Sequence, residues 1–208
     1  ATEGKKLDSV SGLGSVVSLA FSPDGKRIAS GQWNDAFIRL WDINTGEQIK
    51  NFGEVGIHVK SIAISPDGKL LAVGSQNWGS IPIFDIETGE QIRTLHHLDG
   101  IKAVIFSVDG KMLASGVSTG TVKLWDVGTG AELKTLMGHT DGIISLAFSP
   151  DGTMLASGSG DETTRLWNVN SGKEIKTLSG NRHVNSVAFS PDGKILASAG
   201  DGGLIIWD

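Results

Sequence analysis

The chain has 208 residues, a formal net charge of -5, no cysteine and 29 glycines. The missing cysteines exclude disulfides, thiolate metal sites and thiol nucleophiles, and the mild, dispersed negative charge gives no basic footprint for nucleic acid. No apolar stretch approaches the ~18 residues that cross a bilayer, and ATEGKK at the start lacks a signal-peptide core, so a cytoplasmic location is the default expectation.

One pattern is written five times. It opens at Phe21-Ser22-Pro23-Asp24-Gly25, passes through Ile28-Ala29-Ser30, and closes at Trp41-Asp42. Further copies begin at Ile64, Phe106, Phe148 and Phe189, and close at Phe84-Asp85, Trp125-Asp126, Trp167-Asn168 and Trp207-Asp208. A period of about 42 residues means one supersecondary unit repeated, each burying its apolar faces against its neighbours. No linker interrupts the pattern. A single domain over residues 1–208 is expected, with repeats at about 13–52, 53–95, 96–136, 137–178 and 179–208, plus an N-terminal strand at 2–12.

The first repeat carries Gln32-Trp33-Asn34-Asp35 in the turn after its second strand, and the second carries Gln76-Asn77-Trp78-Gly79 at the same place. Small or polar residues stand there in the other three. Aromatic residues that the repeat does not require suggest contact anchors, or else side chains folded down as plugs; both readings stay open. Pro82, inside the third strand of the second repeat, removes a ladder donor and should weaken that repeat locally.

The fourth repeat is the most regular. Ile143 to Phe148 reads as a buried strand, Pro150-Asp151-Gly152 as a hairpin turn, and Met154 to Ser159 as the second strand. Thr163 to Trp167 is the third strand, and the more polar Lys173 to Leu178 is an outer fourth. Gly138-His139, Leu155-Ala156-Ser157-Gly158, Asp161 and Arg165-Leu166-Trp167 resemble the WD-repeat β-propeller family, and the likeness covers essentially the whole chain. It implies an all-β fold: a β-propeller of five four-stranded antiparallel blades.

The family likeness also assigns His139, Ser157, Asp161 and Trp167 to a structural hydrogen-bond network. The same residue types would suit a nucleophilic triad. The other repeats retain the set in every grade of decay, however, whereas a catalytic constellation would appear once and intact. The third has Thr119 in place of the Asp, the fifth Asn181 roughly in place of the His with His183 nearby, and the first no loop His; the second has none of the polar set. The recurring Asp24, Asp67, Asp109, Asp151 and Asp192 are hairpin-turn residues. Neither a metal site nor a cofactor is expected, and the chain is not expected to be an enzyme.

The fifth repeat stops after its third strand, while Thr2 to Gly12 aligns on the fourth strand, Asn170 to Gly180. The expectation is that the N-terminal strand completes the last blade and closes a monomeric five-bladed ring, favoured over a head-to-tail dimer or a segment of a longer chain. The expected function is a binding or scaffold module for a protein or peptide. Its loop face is expected to include Trp33, Trp78, Gln32, Asn77, His58 and Arg182. A self-assembling unit without a ligand is the alternative, and a carbohydrate-active small propeller comes third.

Overall fold

Runs of five or six apolar and β-branched residues between glycine-containing turns form nineteen strands in a computed structural model that describes residues 15–33, 35–53, 58–77 and 79–208. The N-terminal strand at 2–12 and Trp78 lie outside the described residues. Strands β1 (Val16–Phe21), β2 (Arg27–Gln32), β3 (Ile38–Asp42) and β4 (Gln48–Phe52) pair in order as one antiparallel sheet. The second sheet is β5 (Val59–Ile64), β6 (Leu70–Ser75), β7 (Ser80–Asp85) and β8 (Gln91–His96); the third is β9 (Ile101–Phe106), β10 (Met112–Val117), β11 (Val122–Asp126) and β12 (Glu132–Leu136). The fourth is β13 (Ile143–Phe148), β14 (Met154–Ser159), β15 (Thr163–Asn168) and β16 (Glu174–Ser179). The last, β17 (Val184–Phe189), β18 (Leu196–Gly200) and β19 (Gly203–Trp207), has three strands among the described residues.

Each Ser-x-Asp-Gly turn is built alike. Ser149 Oγ donates to Asp151 Oδ1 at 2.6 Å, the Gly152 N–H donates to the Ser149 carbonyl at 2.8 Å, and Gly152 takes a φ of 71° that a side chain would strain. The serine hydroxyl holds the Asp151 carboxyl below its ordinary range, as at Asp24, Asp67, Asp109 and Asp192. These carboxylates are occupied in turning the chain.

Blades pack through their innermost strands: β1 on β5, β5 on β9, β9 on β13, and β13 on β17. Ala29, Ile38, Leu40 and Phe52 of the first blade close over Val59, Ile62, Leu71 and Phe84 of the second. A hydrogen bond crosses three of the four junctions. The Ile62 N–H donates to Ser18 Oγ at 3.0 Å, Val104 N–H to Ser61 Oγ at 3.1 Å, and Val187 N–H to Ser145 Oγ at 3.1 Å. Close approach is possible because Gly31, Gly74, Gly116 and Gly158 face the next blade. A Cβ on any of them would come within 2.7 Å of Val59, Ile101, Ile143 or Val184 respectively.

Among the described residues the ring is not closed, and the strand expected to close it lies outside them. No packing of the kind that joins neighbours links β1 to β17. Apolar side chains instead stand open at both ends of the row: Val16 is 47%, Leu19 57% and Phe21 64% exposed at one end, Leu204 67% and Ile206 65% at the other. The strand pairing is shorter at Pro82. The β6–β7 ladder stops at Ala72↔Ile83, before Pro82, whereas β14–β15 continues to Gly158↔Thr164.

Candidate functional site

Two constellations carry polar chemistry. In the fourth blade His139 Nδ1 lies 2.8 Å from Asp161 Oδ2, and His139 Nε2 lies 2.8 Å from Ser157 Oγ. The Trp167 Nε1–H donates to the same Ser157 Oγ at 2.8 Å. The indole occupies one Ser157 lone pair and the carboxylate favours a proton on Nδ1, so the Ser157 hydroxyl donates to Nε2. Burial holds His139 below the ordinary imidazole value, against the opposing hydrogen bond and charge of Asp161. Partial burial works against ionising Asp161, but donors from Thr163, the Thr140 N–H and His139 bring it down to about 2.

The order of atoms matches a nucleophilic triad, yet Ser157 is 0% exposed. A substrate carbonyl cannot reach Oγ without unpacking the blade. What the arrangement does is satisfy a buried indole N–H, a hydroxyl and an imidazole together.

The other blades show the same device with parts removed. His97 Nε2 lies 2.6 Å from Ser115 Oγ, and Trp125 Nε1–H donates to that hydroxyl at 2.7 Å, but Thr119 turns to Asp99 at 2.8 Å and leaves the ring without a carboxylate. Burial, with Lys123 nearby, pushes His97 down to about 4. In the fifth blade Asn181 Nδ2 donates to Ser198 Oγ at 3.0 Å, so Asn181 takes the histidine's place and His183 stays exposed. In the first, Trp41 Nε1–H donates to Ser30 Oγ at 2.9 Å, while Asp35 pairs with Arg39 at 2.6 Å.

The second constellation lies where the first two blades meet. Trp33 follows β2 and His58 precedes β5; their rings stack 4.4 Å apart at 10°. The His58 N–H donates to the Trp33 carbonyl at 2.8 Å, and the Trp33 N–H donates to the Ser15 carbonyl at 2.9 Å. His58 holds a φ of 68°, uncommon for a residue with a side chain. Lys60 Nζ lies 4.1 Å from the Trp33 ring centroid, within cation–π range. Burial, then repulsion from Lys102, holds Lys60 below its ordinary value. No carboxylate pairs with Lys60 or Lys102 among the described residues.

Of the residues expected on the loop face, the structure joins Trp33 and His58. Trp33 is half-buried. Gln32 departs from expectation: it is the last residue of β2 and only 1% exposed, because the strand turns its side chain inward before the loop begins. Asn77 and Arg182 are exposed, and neither has a ring contact or side-chain hydrogen bond to Trp33. Lys60 and Lys102 were missed by the sequence reading. Their signal was available: both stand second in an innermost strand, where the first and fourth blades have Val17 and Ile144. Among the described residues no group of three or more His, Cys, Asp or Glu is placed to hold a metal ion, and no helix is long and apolar enough to cross a membrane.

The family model described as "WD domain, G-beta repeat" matches residues 4–42, 89–126, 130–168 and 172–208, together well over half of the chain. Each match ends on a Trp-Asp or Trp-Asn pair. The model described as "Anaphase-promoting complex subunit 4 WD40 domain" matches residues 52–104 and so covers the second repeat, where the polar set is lost, and the start of the third. Comparison with curated proteins returns no match.

Proposed function

The chain belongs to the WD-repeat family, whose repeats generally mediate protein–protein interaction or scaffolding and are typically non-catalytic, and on that premise we propose that it binds a protein or peptide through the loops around Trp33 and His58. The observation that carries the reading is the stack of Trp33 on His58 with Lys60 at the indole. Neither Trp33 nor Lys60 is demanded by the repeat: at the fourth junction Gly160 stands for Trp33 and Asn185 for Lys60, while His183, with a φ of 49°, stands for His58.

The chemistry suits a segment bearing an aspartate or glutamate beside an apolar side chain. The half-buried indole offers an apolar surface, and Lys60 is a partly desolvated cation without a carboxylate partner among the described residues. A partner's carboxylate would relieve the repulsion from Lys102 and gain a charge-assisted hydrogen bond.

The test is selection of peptides from a random display library on the wild-type protein, with parallel selection on Trp33→Ala and Lys60→Gln. Peptides enriched in acidic residues on wild type, and lost on both variants, support the reading. Equal enrichment on all three proteins contradicts it.

A further inference from the structure

We propose that the two free faces of the blade row bind each other between copies of this chain, head to tail, by the same contacts that join its blades internally. The first blade shows solvent the surface that every later blade buries. Val16, Leu19 and Phe21 correspond to Val184, Val187 and Phe189 of the fifth blade, where Val184 and Val187 are 1% and 6% exposed. The fifth blade shows the reverse surface. Leu204 and Ile206 of β19 correspond to Ile38 and Leu40 of β3, which are 0% and 2% exposed beneath the second blade. At these positions the front of a second copy therefore matches the back of the first as neighbouring blades match within the chain. An unrelated partner would have no reason to be so.

Two directional contacts have a free half at each end. Ser186 occupies the position of Ser18, Ser61 and Ser145, is exposed, and has no hydrogen-bond partner among the described residues. It is the acceptor that the Leu19 N–H of a second copy requires. The turn prolines behave alike: Pro23, Pro66 and Pro150 each lie against the turn glycine of the following blade, at Gly68, Gly110 and Gly193. At the ends Pro191 is exposed, and nothing lies within 4 Å of where a Cβ on Gly25 would stand.

One residue differs, and it sets the strength. Ala199 stands where the other blades have Gly31, Gly74, Gly116 and Gly158. On Gly158 a Cβ would come within 2.6 Å of Val184 Cγ1, and Val16 is the residue equivalent to Val184. The Ala199 methyl keeps the junction between copies wider than the internal four, so association is weaker than blade packing and reversible. Front and back are different surfaces, so the contact is heterologous and each copy has one of each.

Sedimentation of the full chain over a wide concentration range tests this. The wild type is expected to rise above the single-chain mass of 21.8 kDa as concentration increases. Leu19→Asp spoils the front and Ile206→Asp the back; each alone should stay at one chain. Their equal mixture should form a two-chain species and nothing larger, because one good front meets one good back. Ala199→Gly should lower the concentration for half-association by about tenfold, corresponding to about 1.4 kcal/mol. Leu19 and Ile206 are exposed, so melting curves of their variants should match wild type, and Phe21→Lys with Leu204→Lys gives an independent pair. A wild type that stays at one chain throughout means that the chain covers its own faces, and overturns the proposal. So does association that survives in both single variants, or a mixture that stays at one chain.

Discussion

The indole of Trp33 lies parallel to the imidazole of His58 at 4.4 Å, and the Trp33 carbonyl accepts the His58 N–H at 2.8 Å, so ring and backbone fasten the same two residues across the first junction. The double tie holds His58 at its positive φ. Trp33→Ala removes the stack but keeps the backbone bond, and should cost about 1 kcal/mol in urea unfolding. His58→Ala loses the ring and keeps the strained φ, whereas His58→Gly loses the ring and relieves it. The glycine variant should be the more stable of the two, by about 1 kcal/mol. The opposite order would mean that the φ is not under strain.

The buried network predicts graded losses. Ser157→Ala strands the Trp167 N–H and His139 Nε2, and should lower unfolding free energy by about 1–3 kcal/mol. Trp167→Ala opens a cavity as well and should cost roughly 3–5 kcal/mol. Esterase activity should stay at background in wild type and variants alike; turnover dependent on Ser157 would contradict a structural role.

His97 makes stability sensitive to acid. It is held at about 4 in the folded chain by burial and by Lys123, below the ordinary imidazole value of 6.5. The unfolded chain therefore takes up the proton first. The stabilisation from the neutral ring is complete above pH 6.5 and is lost as pH falls from there to about 4. Allowing for solvent screening, the loss should be on the order of 2 kcal/mol. His97→Gln keeps a donor for Ser115 but does not titrate, so its thermal midpoint should fall less over that interval than that of wild type. Parallel curves would contradict the assignment.

Pro82 ends the β6–β7 ladder at Ala72↔Ile83. The amides of Gly74 and Ser75 should exchange with deuterium faster than those of Gly116 and Val117 in the third blade. Pro82→Arg restores an N–H and the residue type found at Arg39 and Arg165, and should gain about 1 kcal/mol while slowing exchange at Gly74.

The strands and turns were legible because the repeat states them five times. Pro-Asp-Gly, or Val108-Asp109-Gly110 in the third repeat, marks the first hairpin of each blade, and the apolar run after it marks a strand whose neighbours bury it. Asn181 could be named as the histidine's replacement from its place in the loop, and Asn181 Nδ2 does bond Ser198. What sequence could not supply was contact between blades. The Trp33–His58 stack depends on how two loops of adjacent blades meet, which no local pattern encodes. Gln32 was placed on the loop face because it neighbours Trp33, but it ends β2, whose last four residues are all buried whichever face they take. The expectation of a closed ring concerns residues 2–12, which lie outside the described residues.

Isothermal titration of one library-selected acidic peptide into wild type and Trp33→Ala is the most direct test of the binding face. Trp33→Ala should weaken the peptide by about 2 kcal/mol or more, roughly thirtyfold, while Ser157→Ala, altered only in the buried network of the fourth blade, should bind as wild type does. Equal affinity for wild type and Trp33→Ala would contradict the account, because the partner would then be held somewhere other than at Trp33.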